Sequence, residues 1–215
     1  SEKIVNVYRD TKGPDIVLKN LSSESTIEET TSGYNNTNKT FTVKGSWNDN
    51  GGSGYNKLEY SLDNASWTEI TQEDLNWEKA ILLTEGSSKV VYFKATDKVG
   101  NESTVTVENL TVDLSAPVAG VTSADNQNVG KEGSYTLRGT ARDGLALDKV
   151  EISATKNKVS QGTWHTVNAT DNSTTELDYE KAVTEEGRWV FTVKAYDKAG
   201  RVSATETRNI IVDKQ

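Results

Sequence analysis

The stretch Lys94-Ala95-Thr96-Asp97-Lys98 is written again 100 residues later as Lys194-Ala195-Tyr196-Asp197-Lys198, and Gly100 falls on Gly200. Other landmarks repeat with it. Residues 41–49 match 135–143, Lys57-Leu58-Glu59-Tyr60 matches Lys149-Val150-Glu151-Ile152, Trp67 matches Trp164, and Trp77 matches Tyr179. Both prolines of the chain, Pro14 and Pro117, follow an aspartate by four residues, Asp10 and Asp113. The offset runs from 92 (Lys57 to Lys149) through 97 (Trp67 to Trp164) to 103 (Asp10 to Asp113), so the insertions fall in loops. A period of about 100 residues is the size of a whole domain and too long for a solenoid unit. The expected division is residues 1–10 as the end of a preceding module or a linker, 11–113 as one domain and 114–215 as a second.

Within each copy the apolar period is two. Val91, Phe93 and Ala95 alternate with Tyr92, Lys94 and Thr96, and Trp189, Phe191, Val193 and Ala195 alternate likewise. Phe41, Val43, Gly45 and Trp47 share a face, as do Leu58, Tyr60 and Leu62. Alternation of this kind marks half-buried strands. Turn residues separate the runs at Asn50 to Gly54, Asp63-Asn64, Glu85-Gly86, Asp97 to Gly100 and Glu186-Gly187. The pattern predicts an all-β chain of two antiparallel sandwiches of about seven strands each. A brief helical turn is expected near 72–79 or 174–182, where Glu, Asp and Leu cluster. Val91, Phe93, Ala95, Trp189, Phe191, Val193 and Ala195 should be core, and Lys94 and Lys194 should face solvent. Five residues separate Val112 from Val118, and Pro117 restricts both itself and Ala116, which points to an elongated end-to-end arrangement.

Composition excludes several functions. A net charge of −8 argues against nucleic acid, which calls for a basic stripe. No run of about 18 apolar residues is present, so no membrane insertion is expected from this segment. Without cysteine there are no disulfides, thiolate metal sites or thiol nucleophiles. The absence of methionine reads as a processed or excised piece of a longer protein. His165 is the one histidine, and no nucleophile-elbow motif accompanies it. Paired carboxylates for glycoside cleavage would need a concave cleft that a small sandwich rarely offers. The chain is expected not to be an enzyme.

The junction Val112-Asp113-Leu114-Ser115-Ala116-Pro117, the turn Ala95 to Asn101 and the run Tyr60-Ser61-Leu62-Asp63 to Trp67 resemble the tandem Ig-like and fibronectin-III-like modules of bacterial surface proteins and secreted multidomain enzymes. Arg201 stands where the turn motif carries asparagine. The resemblance implies a non-catalytic stalk or adhesive segment of a bacterial extracellular or cell-surface protein, flanked by like modules. A host or surface glycan or protein would be its ligand. The alternative it implies is a spacer or carbohydrate-binding module of a secreted carbohydrate-active enzyme.

Two kinds of residue are candidate sites. Asp113 at the junction, with loop carboxylates Asp97 or Asp143, could hold Ca2+, which takes six to eight oxygens; no cofactor is required by the pattern. Asp10, Asp49 with Asn48 and Asn50, and Asp197 lie in similar settings. The competing reading is that these aspartates cap turns by bonding their own backbone. Trp47 aligns with Ala141 and so belongs to one copy alone, which makes it the candidate ligand-contacting aromatic. Trp67 and Trp164, present in both copies, read as core.

Overall fold

A computed structural model describes residues 9–71, 75–131 and 133–215. The chain divides into two compact units after Leu114. Arg9 and Asp10 pack with the first unit, as set out below; residues 1–8, the rest of the expected preceding segment, lie outside the described residues.

The first unit contains β1 (Asp15–Leu18), β2 (Thr26–Glu28), β3 (Tyr34–Asn35), β4 (Thr40–Asn48), β5 (Tyr55–Ser61), β6 (Thr68–Glu69), β7 (Asn76–Leu82), β8 (Gly86–Asp97) and β9 (Glu102–Asp113). One sheet holds β1, β3 and β7 around β4, and the other runs β2-β9-β8-β5-β6. The second unit contains β10 (Val118–Val121), β11 (Gln127–Val129), β12 (Tyr135–Arg142), β13 (Leu147–Lys156), β14 (Val159–Asn168), β15 (Glu176–Val183), β16 (Gly187–Asp197) and β17 (Glu206–Val212). Its sheets run β10-β12-β15 and β11-β17-β16-β13-β14. No helix occurs among the described residues.

Each unit closes on its own core. In the first, Phe41, Val43, Trp77 and Ile81 from one sheet meet Leu58, Val91, Phe93 and Leu110 from the other. In the second, Leu137 and Tyr179 meet Ile152, Trp189, Phe191 and Val193. All seven residues expected in the core from β8 and β16 are buried. Burying one such aliphatic or aromatic side chain stabilises by about 1.5–3 kcal/mol. Lys94 lies on the opposite face, as its alternation requires, but it is not simply solvated. Its Nζ sits 4.3 Å above the Trp67 ring and 3.7 Å from Glu59.

Gly45 and Gly139 show why the repeat keeps certain residues. Gly45 pairs with Trp77 across β4 and β7, and Gly139 pairs with Tyr179 across β12 and β15. A Cβ on Gly45 would sit 2.2 Å from the Trp77 ring, and one on Gly139 2.2 Å from the Tyr179 hydroxyl. In each unit a large ring lies flat over backbone, and only glycine leaves room for it. The Tyr179 hydroxyl donates to Gly120 O at 2.8 Å.

Three expectations need correction. The sandwiches are not wholly antiparallel, because β2 pairs parallel with β9 and β11 parallel with β17. The first strand of each unit starts in one sheet and crosses to the other. Asn20 makes the crossing possible by continuing the ladder with its side chain, donating to Thr42 O and accepting from Lys44 N. Ser123 Oγ takes the same part by accepting from Arg138 N. In place of the expected helical turns, residues 76–82 and 176–183 form strands along β4 and β12, while 72–74 lie outside the described residues.

The third correction separates Trp67 from Trp164. Trp164 packs against Phe191 at 4.9 Å and Trp189 at 5.7 Å. The β13–β14 register slips there, from Ile152↔His165 to Ser153↔Thr163, so Trp164 is the unpaired extra residue and turns inward. Trp67 precedes β6, where no ladder directs it, and lies on the outer face over Lys94.

Candidate functional site

One end of the first unit gathers three carboxylates from three segments. β4 ends at Asn48, whose Oδ1 accepts from Asn50 N at 2.9 Å. The loop that follows turns through left-handed residues, Asn50 at φ 45° and Gly51 at φ 85°, which asparagine and glycine tolerate. This winding brings Gly54 N back to Asp49 Oδ2 at 2.5 Å. The same loop presents Ser53 N to Asp10 Oδ2 at 2.6 Å, while Lys12 N donates to Asp10 Oδ1. Asp97 ends β8, fully buried, and its Oδ1 accepts from Val99 N and Asn101 N. Asn101 Nδ2 donates to Asp97 Oδ2 at 2.7 Å. Lys98 N bonds Gly54 O and ties the two loops together.

Oxygens of Asp10, Asp49 and Asp97 lie within 4.8 Å of one another. The Asp10 carboxyl is held below the usual carboxylate range, chiefly by the Ser53 N–H and then by the Lys12 N–H. It is therefore ionised at neutral pH. The cluster borders a cavity of about 590 Å3 whose wall also includes Asp15, Arg9 and Lys12. Gly52 leaves this space open: a Cβ there would stand 2.5 Å from Asp10 Oδ2 and 2.7 Å from Asp49 Oδ2. Carboxylate oxygens converging beside bare backbone are the donor set a hard divalent cation takes. The backbone bonds show that the same aspartates also cap their turns.

No family profile and no curated protein matches this chain. Among solved structures, Rst D1-D2 superposes with a TM-score of 0.59 at 10% identity, over 94% of this chain and 100% of that one. The fold is a tandem of Ig-like, fibronectin-III-like modules. The fibronectin(III)-like modules of Clostridium thermocellum CbhA are similar over 93% of this chain and 95% of that one, at 13% identity and TM-score 0.39. A bacterial ice-binding adhesin is similar over 96% and 67%, at 17% identity and TM-score 0.41.

Within the first module, Asp97 does not meet Asp113 as expected. Asp97 pairs near the turn joining β8 to β9, whereas Val112, next to Asp113, pairs with Gly86 at the other end of that hairpin. The strand between Gly86 and Asp97 spans roughly 35 Å at about 3.3 Å per residue. Asp97 and Asp113 therefore sit at opposite ends of the first module, and Asp97 groups with Asp10 and Asp49 instead. Asp10, at the earlier junction, serves the module that follows it, through Ser53 N.

Asp143 lies in the second module, where its Oδ2 accepts from Leu145 N and Ala146 N at 2.7 and 2.8 Å. Lys198 N bonds Ala146 O, so the loops of Asp143 and Asp197 are stitched together like those of Asp49 and Asp97. The difference is Arg201, whose Nε stands 3.3 Å from Asp197 Oδ2 in the place of the Asn101 amide.

Trp47 is also corrected. It is 8% exposed, and its ring lies 4.7 Å from that of Tyr55. It shares the inward face of β4 with Phe41 and Val43, so it is a core residue of the first module and not a surface platform.

Proposed function

We infer that this chain is a non-catalytic segment of a bacterial extracellular or cell-surface protein, acting as a stalk or adhesive segment among like modules. The repetition supports this reading. Two sandwiches, each with a core of its own, follow one another with a short connection around Pro117. Duplicating a closed sandwich repeats its outer face. No helix among the described residues is long and apolar enough to cross a membrane.

The test is mechanical. Pulled by its ends, the chain should unfold in two separate events, each extending ~100 residues to roughly 330–360 Å at about 3.3–3.6 Å apiece, less the folded span of the module. A single cooperative event would remove the reading of independent load-bearing modules.

Calcium enters this reading through Asp10, Asp49 and Asp97, the residues that would hold it; bound there it would neutralise their charge and brace the Asp49 loop against Asp97. Calcium should raise the melting temperature of the first module and leave that of the second unchanged, and Asp49→Asn should abolish the response. Equal shifts in both modules, or none in either, would leave these aspartates as turn caps alone.

A further inference from the structure

The five residues by which the offset grows between Lys57 and Trp67 build a feature found in the second module alone. There β13 and β14 extend to a two-residue turn, Asn157-Lys158, between Lys156 and its partner Val159. Both turn residues have positive φ, 51° and 68°. At the second place of such a turn glycine is the unstrained residue. The chain puts lysine there instead, and strain of this kind points to a use for the side chain. The turn is tied down on β16: Asn157 N donates to Arg188 O at 2.7 Å, and Arg188 N donates to Asn157 Oδ1 at 2.9 Å.

This hairpin walls a bowl of about 410 Å3 on the outer face of the five-stranded sheet. Lys158, Arg188, Val190, Asn126, Asn128 and Asn209 line it. Lys158 and Arg188 are exposed, and neither forms an ion pair among the described residues. They are the two cations of this lining. Asp125, behind the amide wall, spends its oxygens on Asn209 N at 2.6 Å and Asn126 Nδ2 at 3.1 Å, and so orients those residues.

We propose that this bowl binds a carboxylated saccharide. Side-chain amides offer donor and acceptor together, as sugar hydroxyls require, and Val190, 37% exposed, offers an apolar contact for a ring's C–H face. Arg188 and Lys158 take the carboxylate through charge-assisted bonds. An acidic peptide fits less well. Peptides that join a sheet add to a free edge, whereas this bowl lies over β16, whose backbone already pairs with β13 and β17. The site is separate from the load-bearing role and does not depend on it.

The experiment is a 15N NMR titration of the whole chain with four probes: trigalacturonate, sialyllactose, maltotriose and hexaglutamate. Amides of 126–128, 157–158, 188–190 and 209 should shift with trigalacturonate or sialyllactose, and the arm that responds tells internal uronate from terminal sialic acid. Affinity should fall tenfold or more in Arg188→Gln and in Lys158→Gly. The glycine variant relieves the positive φ, so it should melt no lower than the parent while losing the ligand. Equal shifts with hexaglutamate or maltotriose, no shift with either acidic sugar, or full affinity in both variants would overturn the proposal.

Discussion

Asn101 in the first module and Arg201 in the second occupy one position in one turn, and the charges around them are balanced in different ways. In the first, Asp97 accepts a neutral amide, and Asp10 and Asp49 crowd beside it. In the second, Asp197 is buried against a guanidinium carried by the chain itself. The backbone frame is the same in both: Asp97 N bonds Asn101 O, and Asp197 N bonds Arg201 O, each at 3.1 Å. A shared frame with unlike charge shows that the aspartate belongs to the turn. The charge that balances it is set module by module.

The comparison presumes that the modules stand alone, and the largest effect tests that. Phe93 and Phe191 are both 0% exposed and occupy matched cores. Phe93→Ala should cost about 3–5 kcal/mol in the first module and Phe191→Ala the same in the second. Calorimetry should show one transition moving while the other stays. If either variant moves both, the cores are coupled and the modules cannot be compared as separate bodies.

A smaller effect sharpens the charge difference itself. Arg201→Ala leaves Asp197 buried without its guanidinium and should cost the second module about 3 kcal/mol. Asn101→Ala removes one hydrogen bond to Asp97 and should cost the first module about 1.5 kcal/mol. Arg201→Asn, which copies the first module's solution, should recover part of the loss. Equal costs for the two alanine variants would show that the guanidinium contributes no more than an amide does.

Much of this frame could be read from residue order. Alternation alone placed Phe93 and Phe191 inside and Lys94 outside, because a strand has two faces and a one-residue slip would invert them. The matched Trp77 and Tyr179 proved to be the rings that lie over Gly45 and Gly139. The parallel strands β2 and β11 were not legible, since they are three residues long and depend on Asn20 and Ser123 acting in place of backbone. Trp164 turns inward through a bulge that neither spacing nor hydropathy announces, and Trp67 lies outward because no ladder holds it. Comparison with Ala141 sets Trp47 apart, yet its own alternation with Phe41 and Val43 points inward, where it lies. The aspartates were each visible, but which loop meets which is set by long-range pairing. Only the hairpin register separates Asp97 from Asp113 by a strand's length.

The smallest effect uses the one histidine, which the second module has and the first lacks. His165 lies in β14, half-buried, and burial, followed by the Lys181 charge, holds its pKa below the ordinary 6.5. Its folded form therefore resists a proton that the unfolded chain accepts. Above pH 6.5 the ring is neutral in both states and contributes nothing. As pH falls below 6.5 the unfolded state takes up the proton first, and the second module loses stability until the folded pKa is reached. The first module should stay level through this window. Its own acid response begins lower, where Asp10, with a depressed carboxyl, gives stability that is present above 3.8 and fades as pH falls through its folded value. Asp125 and Asp171 act in the same low range in the second module, so only the interval above it isolates the histidine. Melting curves taken from pH 7.5 to 4.5 on the parent chain and on His165→Gln decide the matter. The parent's second transition should fall with pH and the variant's should not; a slope that persists in the variant, or one shared by the first module, would show that His165 is not its source.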